Sequence, residues 1–155
     1  EVFVEGLDTR RVSITELAAK VGYCFQNPDH QLFCQTVEEE VAFGPRNFNL
    51  PEEEVKERVD EALRVVGLDQ LREEHPFFLG KGQRRRLTLA SILAIKPEVL
   101  VIDEPTTGQD YQMSKELMNL LDESNRNGRT IVIITHNMQL LCEHVNRRTV
   151  RLSSK

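Results

Sequence analysis

The chain has 155 residues, 39% of them hydrophobic and 29% charged, with 20 Lys+Arg against 25 Asp+Glu and a net charge of -5. One domain's worth of ordinary globular sequence fits these figures, which exclude a collagen, a disordered tail and a disulfide scaffold, while the acidic total lacks the basic character of a typical nucleic-acid binder. No apolar run reaches the roughly 18 residues that a membrane-spanning helix needs, and Cys24, Cys34 and Cys142 form neither a CxxC pair nor a zinc spacing, which fits a reducing cytoplasm.

Residues 2–6 read as a strand end followed by a turn, and because the chain opens on Glu1 rather than a methionine its N-terminus is expected to be cut. Three apolar runs, 21–25, 99–102 and 130–135, have the pattern of buried strands. The last two are continuous rather than alternating, as a parallel sheet covered on both faces requires. Between the runs, helical spacing predicts a surface helix over 51–66. Pro51 takes its first position, Glu52, Glu53 and Glu54 lie where the dipole favours anions, Val55, Val59, Ala62, Leu63 and Val66 point inward, and Gly67 stops it. A second helix is predicted over 83–95, burying Leu87, Leu89, Ala90, Ile92, Leu93 and Ala94. A third is predicted over 111–125, with Met113, Leu117, Leu120 and Leu121 inward, ending before Asn127-Gly128. Strand, helix, strand with short connections is the grammar of an α/β domain.

In open α/β sheets a ligand lies beyond the carboxyl ends of the strands. Gln26 follows the first run, Asp103 and Glu104 the second, and His136 the third, so an amide, two carboxylates and an imidazole are expected along one edge. That set suits metal-assisted phosphoryl transfer. Asp103 would hold Mg2+ through water, Glu104 would act on the attacking water as general base, Gln26 would bind the metal or that water, and His136 would hydrogen-bond the γ-phosphate. Strand ends also carry polar residues simply because the backbone there meets solvent; four chemically matched residues at three strand ends favour a site. The segment from Leu79 through Gly80, Lys81, Gly82 and Gln83 to Arg84, Arg85 and Arg86 opens a helix. Free N–H groups, the positive helix end and three arginines suit an anion there, the plain alternative being an exposed basic turn. His30 and Cys34, four apart with no third ligand nearby, read as coincidence rather than a metal site. His75 and His144 read as solvated surface residues, Arg147-Arg148 as an exposed strand start, and Glu38, Glu39 and Glu40 as ordinary solvated residues.

Together these residues resemble the nucleotide-binding domain of ABC ATPases over essentially the whole chain. Phe25-Gln26-Asn27-Pro28 resembles the Q-loop, Leu79-Gly80-Lys81-Gly82-Gln83 the signature that usually reads LSGGQ, and the run ending Asp103-Glu104-Pro105-Thr106 Walker B with its catalytic glutamate. Thr107-Gly108-Gln109-Asp110 resembles the D-loop and Ile134-Thr135-His136-Asn137 the H-loop. The stretch from Gln26 to Phe33, continued through Thr36 to Pro45, is similar to the energy-coupling-factor subfamily, whose ATPases drive uptake of vitamins and of cobalt or nickel ions in prokaryotes. The resemblance implies a P-loop NTPase-like α/β fold, a mostly parallel sheet with helices on both faces. It also implies a helical subdomain at about 36–96 carrying the signature, and a core subdomain at 1–35 and 97–155. It implies ATP and Mg2+ as cofactors, with Glu104 and His136 catalytic, Gln26 and Asp103 at the metal, and Leu79, Gly80, Lys81, Gly82, Gln83 and Asp110 at the nucleotide. The implied setting is the cytoplasmic face of the cell membrane. There a second ABC ATPase subunit, in a homo- or heterodimer, would pair with this one under a transmembrane coupling protein, joined to a substrate-binding membrane protein and not to nucleic acid. Residues 29–44 would belong to the surface that meets the coupling protein.

Two features depart from the family pattern. No GxxxxGK(S/T) occurs in the chain, so the phosphate cradle and the adenine-stacking aromatic that accompanies it are expected to precede residue 1. Gly80 replaces the signature serine and Lys81 the next glycine; Gly80 keeps its N–H but loses the hydroxyl, while Lys81 adds a charge that can substitute electrostatically. The chain as given is therefore expected to hydrolyse little ATP alone. Two other readings stand beside the importer subunit: a catalytically silent regulatory half or fragment that only binds a partner, and a soluble ABC ATPase of DNA repair or translation. The short connection between Q-loop and signature leaves no room for the long coiled coils of the repair proteins.

Overall fold

The computed structural model describes residues 1–106 and 111–137. A two-stranded antiparallel hairpin opens the chain, β1 (Phe3–Val4) with β2 (Leu7–Asp8), turning at Glu5-Gly6 where both residues have positive φ. Helix α1 (Ile14–Lys20) follows, started by a reciprocal capping box in which Ser13 and Glu16 satisfy each other's backbone N–H groups. It leads directly into β3 (Val21–Cys24).

Three helices then run in sequence: α2 (Val37–Asn47), α3 (Glu52–Val66) and α4 (Lys81–Leu93). A second capping box, Thr36 with Glu39, starts α2. Pro51 is the N-cap of α3 rather than its first residue, and Gly67 ends that helix in the left-handed conformation at φ 68. Helix α4 begins at Lys81, two residues before the sequence expectation, because the Gln83 side chain reaches back to accept the Gly80 N–H at 2.9 Å. The three helices pack on one another. Arg58 of α3 clamps the end of α4, donating to the carbonyls of Ala94 at 3.2 Å and Ile95 at 3.0 Å while paired with Glu54 at 2.7 Å. Carbonyls past a helix end have no intrahelical partner, so a cation there both satisfies and orients them.

Strand β4 (Val99–Asp103), helix α5 (Tyr111–Arg126) and strand β5 (Thr130–Ile134) complete the described chain. The sheet has the order β3-β4-β5 and both pairings are parallel, as the apolar runs predict. Register places Gly22, Leu100 and Ile131 in one row and Cys24, Ile102 and Ile133 in the next. These rows join Leu87, Leu89 and Ile92 of α4 and Leu117, Met118 and Leu121 of α5 in a single hydrophobic cluster. The alternate row, Tyr23, Val101 and Val132, faces the other way, and Tyr23 and Val132 are exposed there. No helix among the described residues is long and apolar enough to cross a membrane.

Two sequence expectations are corrected. Glu40 is buried, not solvated: its carboxylate accepts the N–H groups of Phe33 and Cys34, both at 2.8 Å, and so closes the loop before α2. His75 is half-buried and caps a short 3-10 turn by accepting the Phe77 N–H.

Candidate phosphoryl-transfer site

The carboxyl ends of β3, β4 and β5 lie side by side, so Gln26, Asp103-Glu104 and Thr135-His136 emerge from adjacent strands. Glu104 and His136 come together most directly. The Glu104 carboxylate accepts from the His136 backbone N–H at 2.9 Å and from the Thr135 hydroxyl at 3.2 Å, and contacts His136 Nδ1 at 2.7 Å. Beside a carboxylate Nδ1 carries the hydrogen, which orients the ring, and the imidazole remains exposed. Burial pushes the Glu104 carboxyl upward, but the hydrogen bonds from His136 and Thr135 outweigh it and hold the group below the ordinary glutamate range. It is a carboxylate at neutral pH.

Asp103 closes β4 half-buried beside Glu104, its backbone in register with Ile134. Gln26 is exposed just past β3. That turn is pinned by a residue sequence reasoning missed: the Gln31 amide accepts the Phe25 N–H at 2.8 Å and donates to the Tyr23 carbonyl at 3.0 Å, extending the strand edge with a side chain. Asn27 then caps the turn over Asp29, and Asp29 pairs with Arg84 of α4 at 2.9 Å.

Arg85, expected with Arg84 and Arg86 to face an anion or solvent, is instead buried, and its guanidinium donates to main-chain carbonyls of both strand ends. Helical spacing held the signal, since Arg85 precedes Thr88, Leu89 and Ile92 on the buried stripe of α4.

Leu79, Gly80, Lys81, Gly82 and Gln83 form the first turn of α4, and their capping and side-chain hydrogen bonds stay within 76–84. Glycine at the N-cap offers no side-chain acceptor to the first-turn N–H groups. No acidic residue occupies this turn, and Lys81 adds a cation at the positive helix end. That placement opposes the dipole by about 0.3–1 kcal/mol, which an anion at the same spot would reverse. Asp110 lies outside the described residues, as do Cys142, His144, Arg147 and Arg148.

Among the described residues no cluster of three or more His, Cys, Asp or Glu side chains could cage a metal. Mg2+ needs no such cage: it keeps several waters and binds through one or two carboxylates plus phosphate oxygens. The Asp103 carboxylate and the Gln26 amide, the groups expected at the metal, are oxygen donors of the kind Mg2+ takes and follow the adjacent strands β4 and β3.

The family model for ABC transporters matches residues 1–107. An ABC transporter ATP-binding protein of Caldanaerobacter subterraneus subsp. tengcongensis is 48% identical over 99% of this chain and 27% of its own length. The Energy-coupling factor transporter ATP-binding protein EcfA of Methanocaldococcus jannaschii is 43% identical over 100% of this chain and 56% of its own. Among solved structures, cbiO1 of Clostridium perfringens, described as part of the ABC transporter complex cbiONQ, superposes with a TM-score of 0.83 at 36% identity, covering 92% of this chain and 58% of that one. The ATP-binding cassette MJ0796, in a post-hydrolysis dimer with ADP and Pi, gives 0.76 at 26% identity, covering 89% and 63%. The chain thus spans between about a quarter and somewhat over half of the curated relatives' length. The family model covers more than half of the chain, and the chain belongs to the ABC transporter family.

Proposed function

We propose that the chain is the ATP-hydrolysing part of an energy-coupling-factor-type importer subunit, serving uptake of a vitamin or a transition-metal ion at the cytoplasmic face of a prokaryotic membrane. The observation that carries this reading is the Glu104 carboxylate, held ionised by His136 and Thr135 at the end of β4 beside Asp103. Such a group would orient a water and accept its proton, and the exposed His136 ring would hydrogen-bond a terminal phosphate oxygen. Bound Mg2+ would offset phosphate charge, with Asp103 and Gln26 the groups to hold it. The first turn of α4, with Gly80, Lys81, Gly82 and Gln83, would be offered across a dimer to the nucleotide of a second ABC ATPase subunit, with Asp110 near that junction. Residues 36–96 would be the helical subdomain and the remainder the core.

Two aromatics support a membrane partner. Phe33 and Phe43 are 58% and 44% exposed, yet stack edge to face with centroids 4.7 Å apart, an apolar knob in the segment assigned to a transmembrane coupling protein, beyond which the substrate-binding membrane protein would lie. The missing hydroxyl at Gly80 favours one second reading, a silent half in a heterodimer whose partner site does the chemistry.

The test is steady-state Mg-ATP hydrolysis and nucleotide binding by the full-length protein with its partner subunits. Glu104→Gln is expected to lower turnover by about 10²-fold or more, the scale of a lost general base, with binding retained. Hydrolysis that survives the change removes Glu104 from the role of base. A wild-type protein that binds its partners but never hydrolyses supports the silent half.

A further inference from the structure

Three consecutive arginines open α4, and Arg85 is the one drawn fully inside, 5% exposed. Its Nη1 donates to the carbonyls of Phe25 and, at 2.8 Å, of Gln26. Its Nη2 donates to the carbonyls of Asp103 at 2.5 Å and Glu104 at 2.7 Å. One guanidinium thus spans the ends of two neighbouring parallel strands, β3 and β4, with two carbonyls on each nitrogen. A buried cation whose hydrogen bonds among the described residues go to main-chain oxygens is costly, and an apolar side chain would fill the same space without that cost. What the fork adds is geometry: a rigid plane with fixed N–H directions sets the spacing of the two strand ends, and a flexible ammonium could not. Glu104 gains most, because its main chain is left-handed, at φ 48. Its N–H is held by the Ile134 carbonyl at 2.8 Å and its C=O by Arg85. Such a conformation persists where the surroundings over-determine it.

We propose that Arg85 is a positioning residue for phosphoryl transfer. Through the carbonyls of Gln26 and Glu104 it holds the amide-bearing turn after β3 and the carboxylate after β4 in one fixed relation, and it ties both to the helix that presents the signature turn. The proposal rests on the functional reading above.

Two variants of the full-length, partnered protein test it. Arg85→Lys keeps the charge and loses the fork; Arg85→Gln loses the charge and keeps an amide donor. Both are expected to lower kcat by about tenfold or more while KM for ATP moves by less than about twofold, the pattern of a group that matters to the transition state and not to binding. Hydrogen exchange without nucleotide is expected to quicken about tenfold in 25–27 and 104–106, with the amides of α3 unchanged, as local opening requires. A kcat retained in Arg85→Lys overturns the proposal. So does exchange that accelerates uniformly through α3, which a merely structural residue would give. If the wild type hydrolyses no ATP the functional reading fails, and the exchange experiment still decides whether Arg85 couples the two strand ends.

Discussion

At Glu104 the backbone sits at φ 48, a region that a β-carbon disfavours by roughly 1–3 kcal/mol. Hydrogen bonds offset that strain: the N–H to Ile134, the C=O from Arg85, and the carboxylate from His136 N, His136 Nδ1 and Thr135 Oγ1. The same bonds give stability a pH dependence with a definite sign. The folded carboxyl titrates below its ordinary value near 4.5 despite the opposing effect of burial. Its contribution is therefore fully present above the unfolded value and is lost as pH falls through the folded one. Urea unfolding midpoints of wild type and Glu104→Gln should differ most above about pH 4.5 and converge below it. The left-handed strain is common to both proteins and cancels. Midpoints that run parallel down to pH 3 would show that the carboxylate is not held by these bonds. Residue identity was legible at Glu104 and His136 because a polar residue ending an apolar run is visible in one dimension. Glu40 was not, since three successive glutamates look alike until the loop at Phe33 folds back over one of them.

Among the elements, the strands were legible because parallel strands covered by helices must be continuously apolar, and β4 and β5 fell within a residue of their expected ends. Helix α1 was missed: seven residues with none buried leave no periodic stripe to read. Its local signal was nonetheless in the chain, since Ser13 with Glu16 spells the same capping box as Thr36 with Glu39. The start of α4 was placed late because glycines at 80 and 82 read as loop, whereas Gln83 caps the turn from within. The contact between α4 and β3 rests on a glycine for a different reason. A β-carbon at Gly22 would lie 2.1 Å from Ile92 Cγ2 and 3.1 Å from Pro97 Cγ, and neither a β-branched side chain in a helix nor a proline ring can swing aside. Gly22→Ala is expected to cost about 1–3 kcal/mol by overpacking, and appreciably less in an Ile92→Ala background, where the obstructing methyl is gone. Equal costs in the two backgrounds, read from urea unfolding as a double-mutant cycle, would mean that the strand and not the helix contact is what alanine disturbs.

For the molecule as a whole, the sheet's two faces are unequal. Rows built on Gly22 and Cys24 carry the hydrophobic core, while the row of Tyr23, Val101 and Val132 faces the other way and is followed on that face by Asp103 beside Ile134. Among the described residues Tyr23, Phe25, Val132 and Ile134 are 38%, 48%, 42% and 45% exposed. A parallel sheet normally has both faces covered, so exposed apolar side chains on one face offer a surface that another segment or chain can cover. The 155-residue chain by itself is therefore expected to bind anilinonaphthalene sulfonate with enhanced, blue-shifted emission. Val132→Thr with Ile134→Thr should reduce that emission, because threonine keeps the branched shape that strands favour while a hydroxyl replaces a methyl at 132 and an ethyl at 134. Since both side chains already contact water, the unfolding free energy read from urea should change by no more than about 0.5 kcal/mol per site. Emission unaffected by the double substitution would show that the dye binds elsewhere and that this face is not the exposed apolar surface of the chain.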